Sequence, residues 1–180
     1  MTPVVWYILY RRLRVGKEHP TRWREKLGYP THARPKGRLV WLHAVGLGEL
    51  LSTRPLIQAL RDRDPDLQFL VTSGTASAAQ AFQAQMPPNT IHQFLPMDIP
   101  APVARFFNHW QPDISIWVEQ DVWPNMVFQT ARRGIPLVLV NARLHATSAA
   151  RHKRVKSLYQ AVYGLFDVIT AQDDISAKNL

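Results

Sequence analysis

The chain of 180 residues, 46% hydrophobic and 19% charged, is long enough for one well-buried domain and too short for two of ordinary size, which excludes a disordered tail and a coiled coil. Its 22 Lys and Arg against 13 Asp and Glu leave a formal charge of +9, so anionic partners are favoured: nucleic acid, phosphorylated small molecules or acidic lipid surfaces. With no Cys it can build no disulfide framework, no Cys-based zinc site and no thiol nucleophile.

The first element is an apolar, aromatic run from Val4 to Tyr10. It is far short of the roughly 20 residues that cross a bilayer as a helix, and it lacks the flanks of a secretory signal. Arg11, Arg12, Arg14, Lys17, Arg22, Arg24 and Lys26 follow, with Trp23 among them. Two readings fit. One is an amphipathic helix lying in a membrane interface, drawn to anionic lipid by its basic residues; the other is a helix whose aromatics pack on the domain while its arginines stay solvated. The Pro/Gly-rich stretch from Gly28 to Gly37 reads as a connector. The expected division is therefore a membrane-proximal segment, 1–37, and a domain, 38–180.

From Arg38 onward strand and helix patterns alternate. Short β-rich runs occupy Arg38 to Val45, Leu67 to Ser73, Thr90 to Leu95, Asp113 to Val118, Pro136 to Val140 and Val168 to Ala171. Several are apolar nearly throughout, as strands covered on both faces should be. Helical patterns lie between them at Glu49 to Asp62, Ala76 to Gln85, Pro102 to His109, Val122 to Arg133 and Ala149 to Leu165. The alternation predicts an α/β domain, a Rossmann-like doubly wound parallel sheet, with ligands bound beyond the carboxyl ends of the strands.

Four of those strand ends carry candidate chemistry. After the first comes His43-Ala44-Val45-Gly46-Leu47-Gly48-Glu49, a glycine-containing turn into a helix that starts with a carboxylate. Gly46 and Gly48 permit close approach of a ligand, and Glu49 reads either as a complement to the helix dipole or as a general base. Because position 51 is Leu, the dinucleotide fingerprint is absent. Thr72 to Ser77 reads chiefly as a helix N-cap. After the fourth strand, Glu119 and Asp121 are read as serving different purposes, one orienting a base or substrate hydroxyl and the other capping the next helix. After the fifth, Asn141 and Arg143 lead into a basic stretch that is either a solvated face or a phosphate-binding rim. The seven His show no metal-ligand spacing, and His43, in an apolar strand, reads first as a core histidine.

The strings WLHAVGLGELL (Trp41 to Leu51), PLIQALRDRDPDLQFLVTS (Pro55 to Ser73), FLPMD (Phe94 to Asp98), QPDISIWVEQDVWPN (Gln111 to Asn125) and RRGIPLVLVNARL (Arg132 to Leu144) together resemble the amino-terminal half of 3-deoxy-D-manno-octulosonic acid (Kdo) transferases. The resemblance implies the amino-terminal half of a GT-B fold. It also implies inverting transfer of Kdo from CMP-Kdo to a lipid A precursor at the cytoplasmic face of the bacterial inner membrane, with no cofactor and no nucleic acid. By the same resemblance Glu49 corresponds to the family's catalytic base. Glu119 and Asp121 correspond to an acidic pair before Trp-Pro-Asn, and Asn141 and Arg143 to a segment on the acceptor side. Two positions depart from the family pattern: Gly46-Leu47 where a serine usually follows His-Ala-Val, and Asp121 where a glutamate is usual. Since CMP-Kdo is expected to bind mainly to the family's carboxy-terminal half, this chain is expected to bind acceptor and to be inactive alone. The alternative is a non-catalytic module that binds an anionic glycolipid or a partner glycosyltransferase.

Overall fold

Strand β1 (Leu39–His43) is buried along its whole length, as a strand covered on both faces must be. Its neighbours are β2 (Gln68–Ser73) and β4 (Ile114–Val118). Beyond them lie β3 (Thr90–Phe94) on one side and β5 (Leu137–Ala142) and β6 (Val168–Ala171) on the other. The computed structural model, which describes residues 3–16, 18–119, 122–142, 156–173 and 176–177, joins these six strands in parallel in the order β3-β2-β1-β4-β5-β6. This is the doubly wound Rossmann order, whose direction reverses between β1 and β4.

Alternate residues of the strands feed two cores. Val40, Leu42, Phe69, Val71, Ile116 and Val118 pack against Leu50 and Ile57 of α2 (Leu47–Arg63) and Ala78 and Phe82 of α3 (Ala76–Gln83). On the opposite face Leu39, Trp41, Trp117, Leu137 and Leu139 meet α4 (Pro100–Trp110), α5 (Pro124–Ala131) and α6 (Lys156–Tyr163). Trp41 centres this second core, with ring centroids 4.9 Å from Phe106 and 5.5 Å from Trp117. Each buried indole finds an acceptor: Trp41 donates to Thr72 Oγ1, Trp117 to Ser115 Oγ and Trp110 to Gln93 Oε1. Burial of so much aromatic surface costs little in lost hydrogen bonds on those terms.

The six strands fall where the sequence predicts them, except that β5 runs on to Ala142, with irregular pairing between Leu139 and Ala142. Among the helices, the described part of the predicted Ala149–Leu165 element is α6, and residues 149–155 lie outside the described residues. No described helix is long and apolar enough to cross a membrane.

The amino-terminal segment is knitted into the sheet. After α1 (Pro3–Arg14), a 3-10 turn (Trp23–Leu27) buries Glu25, Lys26 and Leu27. The Glu25 carboxylate accepts two hydrogen bonds from Arg22 and one each from Thr31 Oγ1 and the backbone N–H of Phe94. Arg22 also donates to the carbonyl of His92, Lys26 Nζ to the carbonyl of Gly74, and Arg105 to the carbonyl of Leu27. Contacts therefore cross the boundary expected at 37/38, and Arg22 and Lys26 belong to the interior, not to a solvated basic face.

Gly28 closes this turn at φ +80°, and a Cβ there would sit 2.2 Å from the carbonyl oxygen of Pro102 in α4. Gly28→Ala must strain the left-handed backbone and push α4 away. A loss of roughly 3 kcal/mol is expected, read as a lower urea midpoint with an unchanged m-value.

Candidate functional site

Parallel strands deliver their following loops to one edge of the sheet, and an open sheet binds its ligands where the winding reverses. Here that crevice lies between β1 and β4, whose register pairs His43 with Trp117. Gly46, Gly48 and Glu49 follow β1, Glu119 follows β4, and Asn141 stands near the end of β5. These residues from three adjacent strands are gathered at the carboxyl edge, whereas Asp121 and Arg143 lie outside the described residues.

Glu49 is half-buried in the first turn of α2. Its Oε2 accepts the backbone N–H of Val45 at 2.9 Å and of Gly46 at 3.1 Å, so the side chain reaches back to satisfy donors that a helix start leaves open. Oε1 makes no hydrogen bond among the described residues. The capping reading and the general-base reading thus use different oxygens of one carboxylate. Neither glycine is demanded by backbone conformation: a Cβ on Gly48 would meet nothing within 4 Å, and one on Gly46 would only touch Glu49 Oε1 at 3.5 Å. Gly48 therefore borders open space beside the carboxylate.

Glu119 and Asn141 share an unusual backbone. Both are left-handed, at φ 64° and 57°, on neighbouring strands where Val118 pairs with Val140 and the N–H of Glu119 donates to the Val140 carbonyl. Asn tolerates this region; Glu does so at a cost of about 1 kcal/mol. Since β4 ends at Val118, Glu119 stands just beyond the strand. At the start of α5, Asp98 accepts the N–H groups of Asn125 and Met126; Asp121, to which the capping role could fall, lies outside the described residues. Glu119→Gly should relieve the strain and raise stability by about 1 kcal/mol. If the side chain serves a ligand, the same change should weaken acceptor binding, and a binding titration beside a urea melt separates the two effects.

Close to this edge lies a cavity of about 520 Å³. Its walls come from α1, the 3-10 turn, the ends of β1 and β2, and the Leu95 to Ile99 segment after β3, with Trp123 also lining it. His43 stands in its lining. The Nδ1 of His43 faces the carbonyl and hydroxyl of Thr72, while its buried Nε2 has no hydrogen-bond partner. Burial, with the nearby Lys26 charge adding to it, pushes this imidazole down to about 3, so it is neutral. Lys26, also in the lining, is driven by burial to about 8. Asp98 is raised by burial, against the opposing effect of its two backbone hydrogen bonds. Thr75 caps α3 by accepting the N–H of Ala78, as the sequence suggests.

Lys26, Asp98 and Trp123 are missed by motif reasoning as site-lining residues. For Lys26 a signal lies in the sequence: Glu18 and Glu25 interrupt the basic run, and acids so placed mark ion pairs with some of its cations. Both are buried and both pair, Glu18 with Arg12 and Glu25 with Arg22.

Comparisons with known proteins bear on the family and the fold. Residues 21–180 match the family model described as 3-Deoxy-D-manno-octulosonic-acid transferase (kdotransferase). A probable mitochondrial 3-deoxy-D-manno-octulosonic acid transferase of Arabidopsis thaliana is 41% identical over 81% of this chain and 32% of its own length. The transferases of Haemophilus influenzae and Rickettsia bellii are 34% and 31% identical, over 86% and 97% of this chain and 36% and 41% of theirs. The chain thus spans about a third to two-fifths of these relatives. Among solved structures, a UDP-N-acetylglucosamine 2-epimerase superposes with a TM-score of 0.56 at 16% identity, over 80% of this chain and 44% of that one, which shows a shared fold. With its sheet order and the match of nearly its whole length, the chain belongs to the 3-deoxy-D-manno-octulosonic-acid transferase family.

Proposed function

We propose that this chain is the acceptor-binding half of an inverting GT-B glycosyltransferase that moves Kdo from CMP-Kdo to a lipid A precursor in lipopolysaccharide synthesis. The observation that carries the reading is the state of Glu49. One oxygen is pinned by two backbone N–H groups, the other makes no hydrogen bond among the described residues, and the residue sits beside the crevice where the sheet reverses.

In the reaction Oε1 accepts the proton of the acceptor hydroxyl as that oxygen attacks the anomeric carbon of Kdo and CMP departs. Pinning Oε2 fixes the carboxylate so that no reorganisation is needed at that moment. Glu119 and Asn141, held in left-handed conformations on the adjacent strands, orient the acceptor. Arg143 extends that side, and the excess of positive charge holds the acceptor's phosphates. CMP-Kdo is held mainly by the half of the enzyme that this chain does not supply. Neither half alone brings donor and acceptor into line, so the chain by itself is inactive. No cofactor is needed.

The reading extends to the membrane. Tyr7 and Tyr10 of α1 are 66% and 54% exposed beside the exposed Arg11 and Arg14, a surface suited to the anionic cytoplasmic face of the bacterial inner membrane. The double hydrogen bond of Glu49 is also what a purely capping residue would make. That favours, as the second reading, a non-catalytic module for an anionic glycolipid. A transferase assay with CMP-Kdo and a lipid A precursor, run on the chain alone and joined to the donor-binding half of a relative, decides between them. Activity in the joined form only is expected. No activity in either form, with glycolipid binding intact, leaves the module reading standing.

A further inference from the structure

We infer that Asp98 is a positioning residue for the acceptor site: it fixes the start of α5 so that the Trp123 indole stands at the crevice as a face for the C–H side of an acceptor sugar ring. The inference rests on the acceptor-binding reading proposed above.

Trp123 is set apart from the indoles of the core. Trp41, Trp110 and Trp117 are almost wholly buried and each donates a hydrogen bond, whereas Trp123 is 43% exposed. It stands where the loop from β4 enters α5, and it lines the cavity at the carboxyl edge. An exposed indole on a backbone that is already ordered is a ready contact, because little freedom is left to lose when a ligand covers it.

The order comes largely from Asp98. The first turn of α5 has no acidic residue and no side-chain cap of its own. Its N–H groups at Asn125 and Met126 go instead to Asp98, to Oδ2 at 3.0 Å and Oδ1 at 2.8 Å, and a carboxylate is the favoured partner for a helix start. Pro124, with its fixed φ, lies between these bonds and Trp123, whose carbonyl accepts the N–H of Val127. Asp98 is anchored in turn: the N–H of Met97 donates to the Lys26 carbonyl and that of Ile99 to the Met97 carbonyl. In the sheet β2 and β1 separate β3 from β4, so Asp98 ties the loop after β3 to the start of α5 across the reversal.

The ligand class follows from what stands together at this edge. Trp123 offers an apolar plane, and the polar Glu119 and Asn141 stand at the ends of β4 and β5. A pyranose has both complements, C–H groups on a face and hydroxyls around the rim; a hydrocarbon chain has only the first and a free phosphate only the second.

The test is calorimetric titration of the 180-residue chain with two probes: a lipid A precursor in neutral detergent micelles, and the soluble sugar-phosphate backbone left when that precursor is deacylated. Trp123→Ala and Asp98→Ala are each expected to weaken binding of both probes at least about tenfold with stoichiometry unchanged. Because one residue acts through the other, the double variant should lose no more than the weaker single variant instead of the product of the two losses. Normal binding by Trp123→Ala, or losses that multiply, overturns the inference. So does a lower stoichiometry at unchanged affinity in Asp98→Ala, the mark of a cap that serves folding alone. A loss seen with the precursor but not with its deacylated backbone overturns the sugar contact, since the indole would then meet acyl chains or the micelle. Trp123 is exposed, so Trp123→Ala decides even if Asp98→Ala fails to fold. An unmutated chain that binds neither probe contradicts the acceptor reading itself, a result distinct from normal binding by the variants.

Discussion

Glu49→Gln, in the chain joined to a donor-binding half, is expected to lower kcat by roughly 10²–10⁴-fold, the usual range for removing a positioned general base. KM for the acceptor should change little, because the proton is transferred only as the bond forms. Stability should hardly change, since the amide oxygen of Gln still accepts the N–H groups of Val45 and Gly46 that Oε2 now holds. Glu49→Ala removes those bonds as well and should cost about 1 kcal/mol, the size of a lost helix cap. The pair of variants separates the two roles of the residue. Were Glu49 only a cap, Gln would be nearly as active as Glu and only Ala would show a defect, in stability. Steady-state kinetics and urea melts of both variants read this directly.

Acidification supplies the second large effect. His43 and His92 are each held down to about 3 from an ordinary 6.5, first by burial and then by nearby positive charge, from Lys26 on His43 and from Arg22 and Lys26 on His92. For His92 the geometry agrees: an Arg22 guanidinium N–H lies 3.1 Å from Nδ1, which must therefore accept, while Nε2 pairs with Ser73 Oγ. Protonating Nδ1 would end that bond and set two cations face to face. The folded pKa lies below the unfolded one, so the stability contributed is complete above about 6.5 and is lost as pH falls toward 3. Between those limits each imidazole withdraws up to about 1.4 kcal/mol per pH unit, and the pair can remove much of a domain's usual stability of roughly 5–15 kcal/mol. The urea midpoint should begin to fall near pH 6.5, before most carboxylates titrate. A midpoint that stays flat from neutrality to about pH 4.5 would contradict the buried, neutral state of both histidines.

The parts of this fold legible in the sequence are those governed by short-range pattern. RLVWLHAV is apolar enough to demand a strand covered on both faces, and Leu39–His43 is just that. Gly46 and Gly48 beside Glu49 mark a helix start in the sequence, and the capping bonds lie there. What the pattern could not show depends on distant partners. Glu25 meets Phe94, Lys26 meets Gly74 and Arg22 meets His92 only after β3 is laid against the 3-10 turn, so two cations at the end of the basic run, Arg22 and Lys26, turn inward. Asp98 caps a helix that begins 26 residues later, at Pro124, and no cap signal spans such a gap. The left-handed backbone of Glu119 is invisible in sequence for a plain reason: Glu is not a residue that advertises positive φ. The motif match marks Glu119 and Asn141 as site residues; only the structure adds that both stand in left-handed conformations on neighbouring strands.

The central claim is that acceptor binds at the carboxyl edge of the sheet, across the β1/β4 reversal. It is tested most directly by hydrogen exchange of this chain with and without a lipid A precursor. The expected result is slowed exchange at residues 45–50 and at the ends of β4 and β5 near Glu119 and Asn141. Slowed exchange confined to α1, or to the groove that Gln58 of α2 lines together with Met86 in the segment after α3, with no change at that edge, would contradict it.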